Sequence, residues 1–242
     1  MSLSQRQIKL ITSLSKKKYR KQHGLFVAEG VKVVQELLTS DLELSELFCT
    51  VDFDCNLDAK VVEISEKELK KISTLKSPNK VLALFKIPAS CLLDNKGITL
   101  ALDAINDPGN LGTIIRLCDW YGISQVVCSE DTVDCFNQKV IQSTMGSITR
   151  VAIRYLNLPE YLAQVDVPVF AADMHGENVY KSELPSAAVL VMGNEANGIS
   201  KDVADAVSNF LTIPRFGESQ KTESLNVSTA TAILLSEFKR NS

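Results

Sequence analysis

No stretch of this 242-residue chain approaches the roughly 18 consecutive apolar residues of a membrane-spanning helix. The opening MSLSQRQIKL has charged and polar residues where a secretory leader needs an apolar run. The chain therefore reads as a cytoplasmic protein with no membrane partner. Histidine is scarce, with His23 and His175 the only two, and none of the six cysteines forms a CxxC pair. A zinc or thiol-redox centre thus lacks a ligand set, and no metal is expected. A chain of this length without a secretion signal needs no staples, so Cys49, Cys55, Cys91, Cys118, Cys128 and Cys135 are read as thiols. Also missing are the GxGxxG of dinucleotide-binding turns and the GxxxxGKS/T of phosphate-binding loops.

What is present is a chain with 45% hydrophobic residues, enough for a sizeable core in one large or two modest domains. The formal charge of −3 conceals an asymmetry. Residues 1 to 92 carry 15 Lys and Arg against 11 Asp and Glu, and residues 93 to 242 carry 11 against 18. The first 40 residues hold 8 basic and 2 acidic side chains, including the run KKKYRK from Lys16 to Lys21. A locally basic surface follows despite the acidic total, although a solvated helix end is the usual explanation of such a run.

The first part alternates short helices with β-rich runs at 25–29, 44–50, 61–65 and 81–87, and VKVVQELL and EKELKKI read as helices lying on a sheet. IPASCLLDNKG breaks the periodicity, which places a domain boundary near residue 94 and divides the chain into 1–94 and 95–242. The second part repeats strand and helix. Near-continuous apolar runs such as AAVLVMG predict strands covered on both faces, hence a mostly parallel sheet flanked by helices. The last helix is predicted from Ser224.

In such sheets ligands gather beyond the carboxyl ends of the strands. Three loops qualify: DAINDPGNLGTIIR, MGNEANGIS and IPRFGESQKTESLN. Each has an ordinary explanation, with Asn110, Ser200 and Ser224 as helix caps, Glu195 as a loop carboxylate and Arg116 as a solvated helix residue.

Taken together and in this order, DPGNLGTIIR, MGNEANGIS and IPRFGESQKTESLNVSTATAI resemble the three motifs of the SpoU (TrmH-like) family of the SPOUT superfamily of RNA methyltransferases, over about residues 98 to 240. The basic opening and FVAEGVKVVQELL resemble the small substrate-binding domain often fused ahead of it. Two departures stand out. Ala196 occupies a position where glycine is common, and Arg215 follows IP with a longer stretch before Ser224, so that Arg215 and Lys221 add charge beside the site.

The resemblance implies an α/β fold: a mostly parallel sheet with flanking helices, knotted as a trefoil, preceded by a small α/β substrate-binding domain. It implies S-adenosylmethionine as cofactor, held by Gly193, Ile213 and Leu225, and RNA (ribosomal or transfer) as the partner methylated at a ribose 2′-hydroxyl. Asn110, Arg116, Glu195, Ser224 and Asn226 then form the polar catalytic site, in a homodimer whose arginine completes the partner's site. Arginine has been favoured in this family as the base, but a guanidinium has five donors and no acceptor. Arg116 is better read as binding the phosphate beside the target ribose and stabilising the developing oxyanion, with phosphate or water taking the proton. Two alternatives remain open at this point. One is an RNA-binding or assembly protein that keeps the fold without catalysis. The other is a small-molecule enzyme acting on a phosphate-bearing nucleotide.

Overall fold

The computed structural model describes residues 3–51, 53, 61–89, 96–217 and 224–240. The expected boundary near 94, Cys55, Cys91 and Lys221 lie outside them. The chain packs into two compact units, Met1–Ala89 with Asp134–Thr149, and Ser90–Val133 with Arg150–Ser242.

The first unit is built on a four-stranded sheet of β1 (Leu25–Glu29), β2 (Leu44–Cys49), β3 (Val61–Glu63) and β4 (Val81–Lys86), in the order β1-β4-β2-β3. The pleat sends alternate residues to opposite faces. Phe26, Leu47, Ala83 and Phe85 join one core with Val33, Val34 and Leu37 of helix α3 (Val31–Leu38), while Val27, Phe48, Leu82 and Leu84 join another with Ile11 of α1 (Gln5–Ser13) and Leu69 and Ile72 of α4 (Glu66–Ile72). Both faces of β1 and β4 are covered, which is why these two strands are apolar almost without interruption.

The segment 134–149 follows the expected boundary in sequence yet belongs to the first unit. It carries α6 (Gln138–Thr144), whose Ile141 enters the Phe26 core with Phe136 and Ile148 packed against it. The Phe26 and Phe136 ring centroids are 4.9 Å apart.

One expectation about the basic run needs correction. Arg20 lies in α2 (Lys17–His23), is only 2% exposed, and donates through Nε to Asp134 (2.9 Å) and through Nη1 to the carbonyls of Leu14 (2.8 Å) and Ser15 (3.0 Å). Burial of a guanidinium demands such pairing. Arg20 is therefore an internal tie rather than part of the basic surface, whereas Lys16, Lys17, Lys18 and Lys21 are exposed. Tyr19 stacks on His23, with ring centroids 6.5 Å apart.

The second unit holds six strands, β5 (Ile98–Leu102), β6 (Gln125–Cys128), β7 (Ala152–Tyr155), β8 (Val169–Asn178), β9 (Ala188–Met192) and β10 (Asn209–Thr212), all parallel and in the order β10-β8-β9-β5-β6-β7. Ala101, Val127, Val189 and Val191 face α7 (Leu158–Leu162) and α8 (Lys201–Ala204) through Leu158, Leu162 and Val203. On the opposite face, α5 (Pro108–Trp120) packs on α9 (Val227–Lys239), and Phe238 meets Phe170 edge-on at 5.5 Å. The chain runs outward from β5 through β6 to β7, then crosses to β8 and returns with β9 between β8 and β5. Loops leaving β5 and β9 thus depart in different directions from adjacent strands, which makes their carboxyl ends the switch point where such sheets bind ligands.

Candidate active site

Two of the predicted caps are displaced. Helix α5 starts two residues earlier than expected, with Pro108 in its first turn and Asp107 as the N-cap, whose Oδ1 accepts from the Asn110 backbone N–H at 2.9 Å. Helix α9 is capped by Asn226, not Ser224; its Oδ1 accepts from Ser228 (3.0 Å) and Thr229 (3.4 Å). With Asp107 doing the capping, the Asn110 side chain is available for other partners.

Those partners come from the other two loops. Asn110 Nδ2 donates to Glu195 Oε1 in a short hydrogen bond, and Asn226 Nδ2 donates to Asn110 Oδ1 at 3.0 Å. Residues 110, 195 and 226 are thereby joined in one chain of side chains at the switch point of the sheet. Gly193, Asn110 and Glu195 are half-buried, as is Ile213, while Ser224, Asn226, Arg116 and Leu225 are exposed. Among the described residues no hydrogen bond joins Arg116 or Ser224 to the Asn110 chain. Arg116 lies six residues beyond Asn110, about 240° further round α5, and so projects from a different face.

The framework that holds these loops was not singled out from sequence. Asp103, only 5% exposed, accepts through Oδ2 from the Ser200 backbone N–H at 2.7 Å, tying the loop after β5 to the loop after β9. Asn194 Nδ2 donates to the Ala104 carbonyl at 2.7 Å, and its Oδ1 accepts from the N–H groups of Ala196 (2.9 Å) and Asn197 (3.2 Å). Ala104 has φ +54°, and its N–H donates to Ser129 Oγ at 2.8 Å. Ile105 N–H donates to Thr132 Oγ1 at 3.2 Å. An Asn two residues before a turn amide was the available signal for Asn194; an alanine in left-handed backbone gives none.

Asn194 and Gly198 exchange both backbone hydrogen bonds at 2.9 Å, closing the 194–198 turn. A Cβ on Gly193 would fall 2.4 Å from the Gly198 carbonyl carbon, so no side chain fits there. The turn that carries Glu195 is thus closed by backbone at its two ends, just beyond β9. Among the described residues no group of three or more His, Cys, Asp or Glu side chains is placed to hold a metal. Nor is any helix among them long and apolar enough to cross a membrane.

The fold and the site define a parallel-sheet α/β enzyme domain with its polar cluster at the strand carboxyl ends, joined to a second unit covered by helices on both sheet faces. Residues 97–236 match the SpoU rRNA methylase family, and residues 5–83 match the MRM3-like substrate-binding domain. The 23S rRNA (guanosine(2553)-2'-O)-methyltransferase RlmP of Bacillus subtilis is 29% identical over 97% of this chain and 96% of its own. A Porphyromonas gingivalis protein described as an RNA methyltransferase of the TrmH family is 40% identical, covers 99% of both chains and superposes with a TM-score of 0.90. An rRNA methyltransferase of Sinorhizobium meliloti solved with bound AdoMet is 29% identical, with a TM-score of 0.86 over 99% of this chain and 97% of that one. The family match covers more than half the chain, and the chain belongs to the SpoU rRNA methylase family.

Proposed function

We propose that this chain methylates a ribose 2′-hydroxyl in ribosomal or transfer RNA, using S-adenosylmethionine. The observation that carries the reading is the hydrogen-bonded chain from Glu195 through Asn110 to Asn226, which brings together three segments far apart in sequence. The B. subtilis relative, named for 2′-O-methylation of 23S rRNA, and the S. meliloti enzyme, solved with AdoMet, support both the reaction and the cofactor.

The site suits the cofactor. Gly193 and Gly198 flank the turn without side chains of their own, and a Cβ at Gly198 would meet nothing within 4 Å. Leu225 is 46% exposed, an apolar face suited to a purine. Gly193, Ile213 and Leu225 are the residues assigned to hold it. When bound, the cofactor supplies an electrophilic methyl group on a sulfonium.

The chain's own residues must align the 2′-oxygen and manage its proton. Asn110, Glu195 and Asn226 bind the ribose edge, with Ser224 beside them. Arg116 takes the neighbouring phosphate and stabilises charge as it develops on the oxygen, and phosphate or water accepts the proton. Because Arg116 projects away from the Asn110 face, it is assigned to the site of a second copy in a homodimer. A trefoil knot in the C-terminal domain belongs to the same reading, as do a cytoplasmic location and an RNA-binding role for the N-terminal unit, with Lys16, Lys17, Lys18 and Lys21 on its surface.

Incubation with methyl-labelled S-adenosylmethionine and total cellular RNA tests the reaction. Label is expected in RNA, at linkages that resist alkali. Asn110→Ala leaves Glu195 and Asn226 without their shared partner and should lower kcat/KM by about 10- to 100-fold. Absence of label with the unaltered protein, or label confined to bases, overturns the proposal.

A further inference from the structure

Beyond the ribose site, the carboxyl edge of the second sheet carries an exposed aromatic surface. Strand β10 pairs with β8 in two registers, Phe210 opposite Ala171 and then Leu211 opposite Glu177, so residues 172–176 arch out between them. The arch passes tightly over β10. A Cβ on Gly176 would come within 2.5 Å of the Leu211 backbone nitrogen. It lifts Met174 to 56% exposure. Beyond β10, Phe216 is 83% exposed and stacks on Tyr180, with centroids 6.4 Å apart and planes 29° apart. Arg215 Nη2 donates to Met174 Sδ at 3.1 Å, which sets the guanidinium beside the arch and next to Phe216 in the chain.

We propose that Tyr180, Phe216 and Met174 form a stacking subsite for an unpaired RNA base near the methylated ribose, with Arg215 taking a phosphate of the same strand. The inference rests on the reading of the chain as an RNA ribose methyltransferase and deepens it to substrate recognition. Three observations support it. The strand order β10-β8-β9 puts this surface at the same end of the sheet as the Glu195 loop, one to two strand spacings away, or roughly 5–10 Å. Aromatic rings beside a guanidinium match a base and its phosphate. A few side chains also fall well short of the ~800 Å² per partner that a stable protein interface buries.

The probe is a 10-mer oligouridylate, compared with the same strand made abasic. Phe216→Ala and Tyr180→Ala should each weaken binding of the oligouridylate by about 5- to 150-fold, and Phe216→Trp should restore it. The abasic strand should bind the unaltered protein and Phe216→Ala equally, and S-adenosylmethionine affinity should not move. In RNA transfer assays the loss should appear in KM rather than kcat. Unchanged oligouridylate binding in Phe216→Ala overturns the subsite. So does conversion of a dimer to a monomer by Phe216→Ala in sedimentation, which would make the surface a contact between copies. If the unaltered protein labels RNA and Phe216→Ala labels it with the same KM, only the subsite fails. If the unaltered protein labels no RNA, the functional reading itself fails.

Discussion

At the scale of single residues, the site depends on which asparagine caps which helix. DPGN reads naturally with Asn110 as the cap, but Pro108 fits the first turn, so Asp107 becomes the cap and Asn110 turns to Glu195 and Asn226. Asn110, Glu195 and Asn226 stand out in the three motifs, but their mutual contacts do not, because each loop taken alone is satisfied by an ordinary cap. Asp103 and Asn194, which pin the loops, went unnoticed because a buried carboxylate after a strand has no local pattern of its own. For Arg116 the expected outcome follows from its proposed role as a cation at a phosphate. Arg116→Ala should lose about 100-fold or more in transfer, while Arg116→Lys keeps a measurable fraction because the charge survives. Radiolabel transfer at saturating RNA checks this. A lysine variant as inactive as alanine, yet binding RNA normally, would show that the guanidinium fork is required.

Among the elements, strand positions were the most legible. The β-rich runs at 25–29, 44–50, 61–65 and 81–87 became β1 to β4 almost residue for residue, most plainly at β1 and β4, where strands covered on both faces leave little room for polar interruption. The start of the last helix was less so, since Ser224 and Asn226 are both good caps and only tertiary contacts choose between them. Helix α4 shows what a well-satisfied cap does. Glu68 accepts from the N–H of Ser65 (2.9 Å), the N–H of Leu3 (2.9 Å) and the Ser65 hydroxyl (2.8 Å), and its carboxyl is held at about 2, down from 4.5, first by the Ser65 amide and then by that of Leu3. A carboxyl depressed in the folded state stabilises above its unfolded value, and that contribution disappears as pH falls through the folded one. Urea unfolding of the unaltered protein and Glu68→Gln should therefore differ most above pH about 4.5 and converge as pH approaches about 2. A gap that stays constant across this range would refute the assignment.

For the molecule as a whole, local patterns could not reveal that the 134–149 segment packs with the first unit. FNQKVIQSTMGSI has the periodicity of any helix on a sheet, and nothing in it says which sheet. Its contacts are energetically central to that unit. Phe136 and Ile141 pack at Phe26, and Arg20 donates to Asp134. Residues 1–89 expressed alone should then lose aromatic burial at Phe26 and leave Arg20 buried without its carboxylate. Losses of about 3–5 kcal/mol attach to each kind of defect. The fragment is expected to show no cooperative thermal transition, while the full chain does; a sharp transition in the fragment would contradict this.

The chain leaves the second unit after Val133 and returns at Arg150, so the N-terminal unit is not a detachable cassette. A single protease cut after residue 89 would sever one covalent connection and leave two others, at 133–134 and 149–150, holding the pieces together. Replacing the N-terminal unit with another protein's by exchanging only the first 89 residues would likewise leave the transplanted sheet without its closing helix. A graft that works has to carry the matching insert from the middle of the donor's other unit.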